Sequence, residues 1–207
     1  TSVGNVMELP PYTYQFIEGR LKEVECHYHL EGQAVTFDLG DFDPLHTLVI
    51  DPEVTFASYI GASASNFGFT ATDDLNGNLI AGADVFNTGY PTTVGAVSSD
   101  FNSSLGSYCD AAITKFAADG GALLYSTYLG GSGLEMPHSV IADSDDNWIV
   151  MGTTGSLDFP TTVGAYQTAL VGGAAFNFGT FFIPAQHANG CDFFVSKFNA
   201  DGTGLLA

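Results

Sequence analysis

Leu123 to Thr154 reads LLYSTYLGGSGLEMPHSVIADSDDNWIVMGTT, and its reading decides the fold. It holds a strand ending in a Tyr-Leu-Gly-Gly turn, a second strand, an Asp/Asn-rich turn and a third strand. Most of it has a counterpart 69 residues earlier, where Tyr59-Ile60-Gly61 stands for Tyr128-Leu129-Gly130. Just beyond it, Pro160 to Ala165 (PTTVGA) repeats Pro91 to Ala96 letter for letter at the same spacing. Six identities in register with other matches mark a repeat protein.

Working outward, the first copy is predicted to hold strands at Val54–Tyr59, Phe67–Thr72, Asn78–Ala83, Ala111–Phe116 and Leu123–Tyr128. Asp73–Gly77 and Ala118–Gly121 are turns, and a polar loop carries Pro91–Ala96. The second copy has Ser139–Asp143, Trp148–Thr153 and Phe193–Phe198, with a turn at Asn199–Gly202. Its Cys191-Asp192 answers Cys109-Asp110 at a spacing of 82, so the second copy carries 13 more residues. They fall within GGAAFNFGTFFIPAQHANG, ending at Gly190. A fourth strand of this copy is expected to start at Leu205, which leaves Phe193–Phe198 with an open edge. Four short strands per repeat is the signature of a β-propeller blade.

Before the repeats, Tyr12–Phe16, Leu21–Leu30, Ala34–Leu39 and Leu45–Ile50 alternate or run apolar between turns at Glu18-Gly19 and Glu31-Gly32. The pattern predicts a small antiparallel meander over residues 1–51, followed by the repeats over 52–207. The fold class expected is therefore all-β: that meander and about two four-stranded propeller-type blades, the second incomplete and the ring unclosed.

Composition agrees. The 207 residues are 45% hydrophobic, with 25 Gly, 17 Phe and 9 Tyr, a mix that suits many short strands and tight turns. The 23 acidic residues face only 4 basic ones, for a net charge of −19. Nucleic acid and anionic membrane are poor partners for such a surface, because polyphosphate needs Lys and Arg. No apolar run approaches the roughly 18 residues that span a bilayer. Three Cys do not make a disulfide framework, and Cys109 and Cys191, one repeat step apart, are expected not to be joined. The chain starts without Met and ends inside its pattern, as a piece of a longer protein does.

The motifs of the second copy carry a resemblance. YSTYLGG, IADSDDNWIVMGTT, DFPTTVGAYQ and FVSKFNADG resemble the bacterial seven-bladed β-propeller (SBBP) repeat family. Residues 12–52, ending Leu-Val-Ile-Asp-Pro, resemble the domain of unknown function that often precedes those repeats. The first copy departs from the pattern, with Gly61-Ala62 for Gly-Gly and Ala83-Asp84-Val85 for Gly-Thr-Thr. The resemblance implies a large secreted or surface-attached bacterial protein and supplies no catalytic residue.

Candidate site residues are few. Asp143, Asp145 and Asn147, matched by Asp74, Asn76 and Asn78, place oxygens at alternate positions of a tight loop, as calcium loops begin. Asp and Asn also favour such turns by themselves. In the insertion, Phe176, Phe178, Phe181, Phe182, His187 and Asn189 mix aromatic and polar groups suited to sugar or peptide recognition, or to a flap over apolar surface. Lys115 and Lys197, at equivalent places, are expected to pair with carboxylates of their own copies, such as Asp110 or Asp192, or to lay their stems on aromatic surface. His27 and His29 share a strand face but lack a local third metal ligand. No Ser-His-Asp set or nucleophile elbow is marked. The reading is a non-catalytic extracellular or cell-surface scaffold or adhesion module that binds glycan or protein through loops, with no cofactor unless calcium. The alternative is part of a propeller enzyme, a glycan lyase or hydrolase.

Overall fold

The computed structural model describes residues 10–32, 34–51, 56–103, 109–180 and 183–207, and the side chains of 176–186 lie outside this description. The described residues are all strand, turn and loop, with fourteen strands and no helix. Every pairing between named strands is antiparallel, in several small sheets that do not close a ring. The chain divides into two compact units, Thr1–Ala57 and Ser58–Ala207.

In the first unit, β1 (Tyr12–Ile17) and β2 (Arg20–Glu23) form a hairpin. Glu18 and Gly19 both take positive φ, the turn that matches strand twist. β3 (Cys26–Glu31) and β4 (Ala34–Leu39) form a separate hairpin, and β5 (Leu48–Asp51) returns to the far side of β1. This is not the expected meander. The predicted strand Leu21–Leu30 breaks because the backbone changes partners there. Val24 N–H donates to Thr13 C=O at 2.8 Å, while Glu25 C=O accepts from Gly40 N–H at 2.8 Å. Gln15 then seats the last strand. Its fully buried amide donates to Asp43 and His46 C=O at 2.8 and 3.0 Å and accepts from Asp43 N–H at 2.8 Å.

In the second unit, β6 (Asn66–Asp73), β7 (Leu79–Val85), β8 (Asp110–Phe116) and β9 (Leu123–Leu129) form one sheet in chain order. The strands expected of the first copy are therefore present, except Val54–Tyr59. Residues 52–55 lie outside the description, and Phe56–Tyr59 form no strand. Tyr59 is 96% exposed, whereas its counterpart Tyr128 is 1% exposed in β9. Shared sequence does not suffice, and Tyr128 is held in its strand by pairing with β8.

The second sheet is β10 (Glu135–Ala142), β11 (Trp148–Thr154) and, beyond an inserted hairpin of β12 (Phe176–Thr180) and β13 (Ile183–His187), β14 (Asp192–Phe198). Its fourth strand begins as expected. Leu205 bridges Phe198, just as Leu123 pairs with Phe116, and Lys197 exchanges hydrogen bonds with Leu206 and Ala207. The edge of β14 is thus occupied at Lys197 and Phe198, not open along its whole length.

The two sheets pack face to face. Ile80, Ala111, Ile113, Tyr125 and Leu129 of the first meet Val140, Trp148, Val150, Phe194 and Phe198 of the second. Gly82 lets β10 approach closely, since a Cβ there would lie 3.1 Å from the Pro137 ring. Gly202 has φ +78 and lies against Trp148 and Tyr125, with 2.6 Å left for a Cβ. The other face of the first sheet is covered by its own loops, with Tyr90, Tyr128, Ala64, Val85 and Ala112 buried together.

The repeated hexapeptide now has a physical role. In the first copy PTTVGA and the two residues after it run beside β9. Thr93 N–H donates to Ser126 C=O at 3.0 Å, Ser98 C=O accepts from Tyr128 N–H at 3.0 Å, and the Thr93 hydroxyl accepts from Ser126 N–H at 3.0 Å. A non-strand loop thereby caps the outer edge of the sheet, which otherwise would present unpaired donors and acceptors. The same turn forms in the second copy, with Ala165 N–H on Thr162 C=O at 3.1 Å as Ala96 N–H is on Thr93 C=O.

Candidate functional site

The Asp/Asn turns sit where the two sheets meet and were the calcium candidates. Asp74 Oδ1 accepts from Asn76 and Asn78 N–H at 2.8 and 2.9 Å, and Asp143 Oδ1 accepts from Asp145 and Asn147 N–H, both at 2.9 Å. The second oxygen of each carboxylate is taken by a lysine of its own sheet. Lys115 Nζ lies 2.6 Å from Asp74 Oδ2, and Lys197 Nζ lies 2.6 Å from Asp143 Oδ2. The lysines therefore pair within their own copies, but with the turn acids rather than with Asp110 or Asp192.

An ammonium stands where a cation ligand set would gather, and Asn78 and Asn147 turn their amides back on Asp74 and Asp143. Among the described residues no group of three or more His, Cys, Asp and Glu is placed to hold a metal ion. The electrostatics follow the geometry. Lys197 holds the Asp143 carboxyl well below its usual range. Burial pushes Asp74 up, but Lys115 and Asn78 outweigh it, and its pKa ends below the usual value.

Asp146 has a role that the sequence did not reveal. It occupies the left-handed position held by Gly77 in the first turn, with φ 66 against 77. Its carboxylate accepts from Leu75 N–H at 2.8 Å and from the Asn76 amide at 3.3 Å, tying the second turn to the first. The first lysine also crosses between the sheets. Lys115 Nζ donates to Ala200 C=O at 3.3 Å and lies 5.1 Å from the centre of the Trp148 ring.

At the Tyr-Leu-Gly-Gly turn, the structure gathers buried acids that sequence reasoning did not single out as a site. Glu135 Oε2 and Asp110 Oδ1 both come within 2.8 Å of the point where a Cβ on Gly130 would stand, so only Gly fits there. Glu135 accepts from the Thr154 and Ser156 hydroxyls at 2.6 and 2.5 Å and from Gly131 N–H at 3.0 Å. Asp110 accepts from Asn102 and Ser103 N–H and from the Ser103 hydroxyl. Both acids have no exposed surface. Burial raises both pKa values, that of Glu135 to about 7. Asp84 is fully buried on β7, and neither of its oxygens has a hydrogen-bond partner among the described residues. Desolvation pushes it to about 7. Cys109, beside these three acids, has its thiol pushed up by burial and then by their charge. The only sequence signal for Asp84 and Glu135 was an acid within an apolar strand.

A cleft of about 420 Å³ opens above this turn, lined by Val97, Asn102, Tyr128, Gly130 and Asp158 among others. Asp158 holds Ser132 through N–H and hydroxyl, both at 2.8 Å. The Asp110 and Glu135 oxygens are engaged by the protein's own donors and have no exposed surface, so what they do here is fix the loop.

The insertion candidates are separated by the fold. Phe176 and Phe178 lie on β12, with side chains outside the description, and Phe181 and Phe182 fall outside the described residues. His187 ends β13 but is 3% exposed, with Nδ1 2.6 Å from the point where a Cβ on Gly155 would stand. Asn189 is exposed. Asn189 C=O accepts from Gly173 N–H at 2.8 Å, which closes the root of the hairpin. In the first unit, His27 pairs with Glu25 at 3.0 Å and His29 with Asp38 at 3.4 Å, all exposed. All three cysteines are free, Cys26 and Cys109 buried and Cys191 exposed.

Residues 1–53 match the family model described as "Domain of unknown function (DUF7948)". No curated protein and no solved structure matches the chain. Among the described residues no helix is long and apolar enough to cross a membrane.

Proposed function

We propose that residues 58–207 are two successive propeller-type repeats of the SBBP kind, and that the chain belongs to a non-catalytic, extracellular or cell-surface scaffold. One observation carries this reading. The outward face of the second sheet is apolar at the positions with which the first sheet holds the second, with Met151 and Phe193 standing where the first has Gly82 and Ala111. Ile80, Ala111, Ile113 and Lys115 are buried between the sheets, and their counterparts are Ile149, Phe193, Val195 and Lys197. Phe193 is 70% and Val195 53% exposed there, joined by Ile141 and Met151. An apolar face of this kind, equivalent in the repeat to one already covered by a sheet, suits one more sheet. The match of residues 1–53 is compatible with a domain that precedes repeats.

In such a scaffold the loops and the β12–β13 hairpin are what a glycan or protein would meet, and the −19 charge turns polyanions away. The stacking is tested by appending residues 126–207 again after Ala207, which continues the repeat in register, with Leu in place of Met151 in the appended copy. The original Met151, now 43% exposed, should become at least about tenfold slower to oxidise with peroxide as it is covered. An unchanged rate overturns the reading. Deleting residues 174–186, the 13 by which this loop exceeds that of the first copy, and measuring glycan-array and cell binding tests the hairpin's part, and undiminished binding removes it.

A further inference from the structure

We infer that Lys197 selects the partner of the second sheet, and that this partner is a β-sheet offering an indole face and a turn carbonyl. The inference rests on the stacked-repeat reading and adds the recognition chemistry to it. Its basis is the sister residue, whose contacts are visible. Lys115 is held on one side by Asp74, 2.6 Å away, and on the other by two groups of the incoming sheet, Ala200 C=O at 3.3 Å and the Trp148 ring at 5.1 Å. Its side chain is 11% exposed.

Lys197 is built identically on the near side. Asp143 Oδ2 is 2.6 Å from its Nζ, and Asp143 is itself fixed by Asp145 N–H, Asn147 N–H and the Asn147 amide. The far side of Lys197 has no aromatic ring or carbonyl among the described residues, and its side chain is 34% exposed. Its ammonium is thus oriented by one carboxylate with its remaining donors turned to solvent, at the margin of the exposed face that carries Ile149, Phe193 and Val195.

The chemistry is selective. An ammonium carrying one carboxylate needs neutral acceptors on its other side, because a second carboxylate would leave excess buried negative charge and a second cation would repel. A carbonyl and an indole face meet that need, and indole is the strongest of the aromatic faces for a cation. The two copies in this chain differ at that place. The second presents Trp148, and the first has Leu79 at the equivalent position. The partner of Lys197 is therefore a sheet patterned on the second copy, with Trp at the head of its second strand and an Ala-Asp-Gly turn like Ala200–Gly202.

The test uses the full chain extended by residues 126–207, with Met151 oxidation as the readout. Two changes are compared with the parent: Lys197→Met, and Leu for the appended counterpart of Trp148, which leaves residues 1–207 untouched. Each should restore Met151 oxidation by on the order of tenfold, the loss of one desolvated cation–π contact, and Lys197→Arg should retain protection. Protection equal in all variants overturns the selection by Lys197 while leaving stacking intact. Loss of protection in the parent extended chain itself overturns stacking, so the two failures are distinct.

Discussion

The two sheets of the repeat unit share a pattern and differ in what covers them. The first has one face on the second sheet, the other under its own loops, and its outer edge capped by PTTVGA. The second has one face covered and one exposed, and only the start of its fourth strand in place. Equivalent residues therefore sit in opposite environments: Ile113 is 0% exposed and Val195 53%. The difference shows that in a stacked array a residue's energetic weight belongs to the interface it reaches, not to its place in the repeat.

The sharpest way to break the comparison is to cut the paired positions. Ile113→Ala should cost about 3 kcal/mol through lost burial and a cavity, and Trp148→Ala about 4 kcal/mol. Val195→Ala should stay within about 0.5 kcal/mol. Urea unfolding midpoints measure all three, and equal losses at 113 and 195 would mean that the outward face is covered after all.

Next in size is the lysine pair. Lys115→Met leaves Asp74 buried without its counter-charge and should cost on the order of 3 kcal/mol. Lys197→Met in the same chain should cost clearly less, because Lys197 and Asp143 still reach solvent. Similar thermal shifts for the two would contradict the asymmetry.

The buried acids sharpen it through pH. Asp84 and Glu135 titrate at about 7 in the fold against ordinary values of 3.8 and 4.5. Their neutral forms favour the native state, so that stability is fully present below about pH 4 and is lost as pH rises through about 7. Asp74 and Asp143 act oppositely, with stability present above about pH 4 and lost below it. The melting temperature should therefore peak at mildly acidic pH and fall toward neutrality. Asp84→Asn should remove part of that fall and add about 2 kcal/mol at pH 7.5, by ending the burial of an unpaired charge. A melting temperature that rises from pH 5 to 7.5, in parent and variant alike, would refute it.

The smallest effect is chemical. In the native chain Cys191 should react with a thiol reagent while Cys26 and Cys109 do not, and all three should react in denaturant. Fast native labelling of Cys109 would show that the joint between the sheets opens.

Much of the fold was legible because it is written in local signals. Alternation, Asp/Asn and Gly turns and the 69-residue echo located every strand of the two sheets. The errors came where pairing is non-local. Leu21–Leu30 is expected as one strand although its alternation changes phase at Lys22-Glu23, and it divides because Val24 and Glu25 bond to different neighbours. Phe56–Tyr59 shares the pattern of β9 but forms no strand. For the candidate sites, the sequence marked the Asp/Asn turns and the lysines separately. Only the antiparallel return of β8 and β14 brings Lys115 to Asp74 and Lys197 to Asp143.

By itself, the sequence determined an all-β chain of repeating short strands, its turns, its acidity and its repeat period, because those depend on neighbours within a few residues or on simple counts. Tertiary structure alone decided which acids are buried, that the hexapeptide caps an edge, that Asp146 joins two turns, and which of two equivalent faces lies bare. Each of those depends on distances between segments far apart in the chain, where a carboxylate's partner or an apolar residue's cover is set by how sheets meet rather than by the residue itself.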